Sequence, residues 1–109
     1  MKHRVTAERV PNHADVAQPG QFQFLTVCGT PTMKISAVAA MEVGCPRCGK
    51  AHELPRVSTT PTDRRPSYLW DGMVEVPTLS MAIAIPPHSG CPGWHGWLRR
   101  GEFQNVVGC

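Results

Sequence analysis

The stretch Cys45-Pro46-Arg47-Cys48-Gly49-Lys50 decides how this chain is read. Two cysteines separated by two residues, with glycine straight after, make a tight knuckle whose sulfurs converge on one point. A later stretch, Cys91-Pro92-Gly93-Trp94-His95-Gly96, offers a thiol and an imidazole with three residues between them. Together the two stretches fill the four corners of a tetrahedron, the arrangement Zn²⁺ takes in structural sites. Cys45, Cys48, Cys91 and His95 are therefore the expected ligands of one Zn²⁺. Cys109 competes for a place, because a final strand could bring it back beside His95. His52, four residues past Cys48, either ligates or packs beside the site.

Composition explains why a staple is needed. The chain has 109 residues, of which 6% are aromatic, against 10 Gly and 11 Pro. That balance favours short strands, turns and loops over long helices, in a domain small for a self-sufficient core. A metal supplies what the core lacks. Disulfides are the alternative, but five cysteines is an odd number, and Met1-Lys2-His3-Arg4-Val5 has no apolar run of the signal-peptide kind. A reducing compartment follows, where Cys-x-x-Cys serves more often as a ligand pair than as a bridge. No stretch approaches the ~18 apolar residues of a membrane span. The formal charge of +3 falls to about +2 once three thiolates hold a Zn²⁺, too little to argue for nucleic acid by itself.

Outward from the knuckle, the apolar pattern predicts a mostly β domain. Gln21-Phe22-Gln23-Phe24-Leu25-Thr26-Val27 alternates as a strand should, and so do Ile35, Ala37, Ala39, Met41 and Val43, which run straight into Cys45. Residues 51–57 return as the partner, giving a hairpin with the metal in its turn. Residues 58–67 form a loop by composition. Tyr68-Leu69-Trp70, Asp71-Gly72 and Met73-Val74-Glu75-Val76 read as a second hairpin on a type I′ turn. Leu79, Met81, Ile83 and Ile85 alternate up to Pro86-Pro87, and a last pair of strands turns at Arg100-Gly101. Cys28, at an apolar strand end, reads as a small buried hydrophobe. Residues 1–20 carry too few apolar positions for a buried face, so they read as an extended N-terminal arm on a zinc-ribbon-like domain spanning 21–109. Val5, Val10 and Val16 would be its contacts with a partner.

A thiolate-rich set already closed at four differs from a catalytic zinc, which keeps an open position and a nearby base. Glu53 and Glu75 are not singled out by spacing. The residues alone therefore point away from an enzyme. Trp70, Trp94 and Trp97 would cover the metal and fill the core, or else stack bases.

The segments Cys45-Pro46-Arg47-Cys48-Gly49 with His52, Leu69-Trp70-Asp71-Gly72 with Glu75 and Pro77-Thr78-Leu79-Ser80, and Gly90-Cys91 with Trp94-His95-Gly96-Trp97-Leu98 and Gly101-Glu102 resemble a family of small phage- and prophage-encoded proteins. Some of its members carry a mistaken ammonia monooxygenase label. The resemblance covers residues 22–109 and implies a viral origin and a metal, but no reaction. The family's gap between the second Cys and the His is often shorter, a proline usually stands where this chain has Met81, and many members have a cysteine near position 109.

The expectation from sequence is a zinc-binding module that works by protein–protein contact, as a virion component or a factor acting in the host cytoplasm. The alternative is a zinc-ribbon nucleic-acid binder using Arg47, Lys50, Arg64, Arg65, Arg99 and Arg100, which would have to cluster on one face. A small metalloenzyme is a third reading, and it would need an open coordination position with a cleft beside it.

Overall fold

A computed structural model describes residues 4–11, 15–60, 67–88 and 90–105. Among them lie ten short strands and one 3-10 turn, Ile35–Ala37, with two four-stranded sheets folded over a common core. The sheet that leads into the first knuckle contains β2 (Glu8–Arg9), β3 (Gln21–Leu25), β4 (Ala40–Gly44) and β5 (Ala51–Pro55), in that order. Phe22 and Phe24 on β3 face Val43 and Met41 on β4, and all four are buried. The other sheet runs β1 (Arg4–Thr6), β10 (Glu102–Asn105), β9 (Trp94–Arg99) and β8 (Ile83–Ile85). It contributes Phe103, Trp94, Leu98 and Ile83 to the same core. Each such side chain taken from water is worth roughly 1.5–3 kcal/mol. No helix among the described residues is long and apolar enough to cross a membrane.

The mostly β expectation holds, and so does the hairpin around the knuckle. β4 and β5 pair from Ala40↔Pro55 to Gly44↔Ala51. Beyond Gly44, Cys45 N–H donates to the carbonyl of Lys50, and Gly49 N–H donates to that of Cys45. Gly49 sits at φ +85°, a conformation that costs a side chain but not glycine. The final hairpin is also as expected. Arg100 and Gly101 both have positive φ, as a type I′ turn demands.

Two strands start later than expected, since Ile35–Ala37 form a 3-10 turn with pairing only from Ala40, and β8 begins only at Ile83. Three further local expectations fail. Asp71-Gly72 does not turn a hairpin. The Asp71 carboxylate accepts from the backbone N–H groups of both Met73 and Thr78, so the backbone closes into a loop rather than a ladder. Tyr68–Leu69 (β7) instead pairs in parallel with Val57–Ser58 (β6). Cys28 is exposed, in a turn whose amides donate to Thr26 Oγ1. The third failure is the arm. β1 pairs with β10 and β2 runs parallel to β3, so the chain crosses between the two sheets at Ala7. Ala7, Val10 and Val16 are all buried. The boundary expected at residue 20 thus cuts through two sheets.

Candidate metal centre

Four donors meet where the two sheets' connections approach each other: Cys45, Cys48, His88 and Cys91, with all ligand atoms within 4.8 Å of one another. Cys45 and Cys48 come from the β4–β5 knuckle, while His88 and Cys91 come from the β8–β9 connection. There His88 N–H donates to the Cys91 carbonyl and Cys91 N–H donates to that of His88, closing a second tight turn. This turn presents His-x-x-Cys just as the first presents Cys-x-x-Cys. The two knuckles face each other, with Cys45 Sγ 3.9 Å from Cys91 Sγ and Cys48 Sγ 3.0 Å from His88 Nε2.

The hydrogen bonds around the donors fix their chemistry. His88 Nδ1 lies 2.9 Å from the carbonyl oxygen of Pro86, which can only accept, so Nδ1 carries a proton and Nε2 faces the sulfurs. The Cys48 thiol is brought down to about 6, first by the His88 contact and then by the backbone N–H of Lys50. His88 is raised in turn, mainly by Cys48 and next by the Pro86 carbonyl. Burial pushes the Cys45 thiol up. A cation at the centre of the four would favour thiolate at Cys45 and neutral imidazole at His88. Three thiols and an imidazole make a set that could hold one metal ion.

Three of the four expected ligands are brought together, and the fourth is not the one expected. His95 lies on β9, opposite Ala84, on the sheet's outward face. The reason is strand alternation. Trp94 is drawn into the core, and its neighbour must point the other way. His88 takes the place, and the signal for it was available: His88 and Cys91 repeat the spacing of Cys45 and Cys48. His52 is not in the set. Its ring lies tilted against that of His88, with centroids 4.6 Å apart, and burial lowers its affinity for a proton, so it packs beside the site. Cys109 lies outside the described residues, as do Arg64 and Arg65.

Among the described residues, Arg47, Arg99 and Arg100 do not share one recess. Arg47 lines a cleft beside the knuckles, while Arg99 and Arg100 line a separate recess with Glu102. The tryptophans divide as well. Trp70 lies against Phe24, with ring centres 4.4 Å apart, and Trp94 meets Phe103 edge-on, whereas the half-buried Trp97 carries the Arg99 guanidinium 4.5 Å above its ring.

No curated protein matches the chain, and no solved structure does. A family model does match, over residues 8–106, described as the bacterial ubiquitination-like system serine protease, BubE. That description corrects the expectation that the chain is no enzyme. It also names a bacterial system, and nothing in it supports a phage or virion origin. With the match running through both sheets and both knuckles, the chain belongs to the BubE family.

Proposed function

We propose that this chain is a zinc-stapled serine protease of a bacterial ubiquitination-like system, acting on a protein partner. The observation that carries the reading is the meeting of three thiols and one imidazole inside a chain that matches that family nearly end to end. A tetrahedral Zn²⁺ with Zn–S bonds of about 2.3 Å sets its sulfurs about 3.8 Å apart. The separation of 3.9 Å between Cys45 and Cys91 fits that edge. A set of this kind, closed at four and rich in thiolate, stabilises a fold. Its role here is to lock the β4–β5 knuckle to the β8–β9 connection. Hydrolysis would then belong to a serine hydroxyl with a histidine as its base, the pairing common to serine proteases of unrelated folds.

The described serines with known contacts accept from backbone N–H groups: Ser58 from Thr60 and Ser80 from Leu69. His95 stands exposed on a cleft wall, where a general base is of use. Labelling with a fluorophosphonate identifies the nucleophile directly. One of Ser36, Ser58, Ser67, Ser80 and Ser89 takes the label, and its replacement by alanine removes both label and proteolysis while metal content stays at one ion per chain. Equal labelling of all five single alanine variants, or none of the wild type, defeats the reading.

The ligand assignment has its own test. His88→Ala lowers bound zinc well below one per chain, since loss of one ligand typically weakens a structural site by orders of magnitude. His95→Ala leaves zinc content at the wild-type value. Elemental analysis of untagged protein distinguishes them, and the opposite result restores His95 as the ligand.

A further inference from the structure

The cleft beside the two knuckles has a volume of about 470 Å³, within the range of sites that take a small ligand or a few residues of a chain. Arg47, between the two cysteines of the first knuckle, supplies one wall. Pro86 and Pro92, at either end of the second knuckle, supply the other, with Ala84, Trp94 and His95 between them. Every part of this lining is set by features already described. Ala84 pairs with His95 across the sheet, and its single methyl leaves the floor open. The two prolines are exposed, and with φ already fixed by their rings they lose less backbone freedom on contact than other residues would. The knuckles that carry Arg47 and the prolines are those the four metal donors draw together, so the staple sets the width of the cleft.

Charge says what fits. The backbone N–H of Arg47 is turned to the Cys45 sulfur, while its guanidinium is exposed and makes no hydrogen bond or ion pair with any described residue. No acidic side chain lines the cleft among the described residues. Lys50 follows closely on the same turn. A guanidinium held at the mouth of a mostly apolar cleft is matched by a carboxylate at the end of an apolar segment. Shape favours an extended segment. β8 is an edge strand of only three residues, and the cleft runs over the β8–β9 pair rather than into a deep hole. A nucleic acid would want a continuous basic track, whereas Arg99 and Arg100 lie at a different recess.

We propose that the cleft between the first knuckle and the β8–β9 pair binds an extended, apolar polypeptide segment bearing a carboxylate, which Arg47 holds. This rests on the reading of the chain as acting on a protein, and it specifies the part of that protein which is gripped. The carboxylate belongs either to a chain terminus or to an Asp or Glu side chain, and the chemistry at Arg47 is shared.

The test is NMR titration of the full ¹⁵N-labelled, metal-loaded chain with four probes. These are a neutral apolar hexapeptide with a free C-terminus, its C-terminal amide, the amide with one internal Asp, and a uridine hexanucleotide. The free acid shifts the backbone amides of Ala84, Ile85, Trp94 and His95, and the simple amide binds more weakly. Arg47→Gln weakens the free acid by about fivefold, the loss of one exposed charged contact, without changing metal content. Ala84→Leu, which fills the floor, removes binding. Recovery of full affinity by the Asp-bearing amide assigns the carboxylate to a side chain, and failure to recover assigns it to the terminus. Equal binding of acid and amide, shifts confined to other surfaces, or stronger binding of the oligonucleotide overturns the proposal. The fluorophosphonate label reads the nucleophile independently. Peptide binding without labelling therefore sinks the protease and leaves the cleft, and labelling without peptide binding does the reverse.

Discussion

Cys45→Ser yields a chain that neither retains its metal nor unfolds as the wild type does, with a melting temperature lower by more than about 20 °C. Two effects combine at this one atom. The Cys45 side chain is fully buried in the common core and faces Cys91 across 3.9 Å, so it is both a donor and a packing residue. Binding energies of structural Zn²⁺ in small domains run to about 10–16 kcal/mol, against a typical net stability of about 5–15 kcal/mol. Surrendering even a third of the former removes much of the latter. Serine in that place also buries a hydroxyl short of partners. Cys28→Ser is the control. Its thiol is exposed in a turn, so the change stays within about 0.5 kcal/mol. Thermal melts with elemental analysis of both variants decide the matter, and equal melting temperatures would show that no ligand resides at Cys45.

Much of this was legible in the residues, and the parts that were not have physical reasons. The β4–β5 hairpin and its knuckle could be read because alternation at Met41 and Val43 leads without interruption into Cys45-x-x-Cys48. The final turn could be read because Arg100-Gly101 admits only a narrow set of backbone angles. Spacing forward from Cys91 points to His95 rather than His88, but strand β9 has already begun there and alternation carries that histidine outward. Asp71-Gly72 misled because a carboxylate can satisfy two backbone N–H groups itself and so dispense with a strand partner. The proposed protease activity has no counterpart in residue spacing for a more general reason. In serine proteases a serine and its base are brought together by folding, at no fixed spacing along the chain.

Deleting residues 1–20 costs the chain its metal as well as its stability, lowering the melting temperature by about 15 °C or more. The valines there read as too sparse for a core because strands of three and two residues cannot show a period. Each apolar side chain enters the core at a separate point. Val5 lies opposite Phe103, Ala7 is buried at the crossing, and Val10 and Val16 are buried beyond β2. Backbone hydrogen bonds fasten the segment at both ends, from Ala7 to Gly101, from Val10 to Phe22 and from Gly20 to Gly44. The last of these leads to the candidate metal site. Residues 17–19 run directly over the first knuckle, so closely that a Cβ on Gly49 would stand 2.8 Å from the Ala17 carbonyl oxygen, and one on Gly44 would strike that of Gln18. The segment presses the turn that presents Cys45 and Cys48. Its removal frees that turn, bares the edges of β3 and β10 to other chains, and exposes apolar surface worth several kcal/mol in all, at about 25 cal/mol per Å². Gly44→Ala is the point-mutation counterpart. It leaves every strand in place, yet forces the segment off the knuckle, so it lowers metal affinity in the same direction. Metal stoichiometry and thermal melts of the truncated chain and of Gly44→Ala, each beside the full chain, are the measurements. A truncated protein that keeps one metal per chain and melts with the wild type would show that these residues are an arm after all.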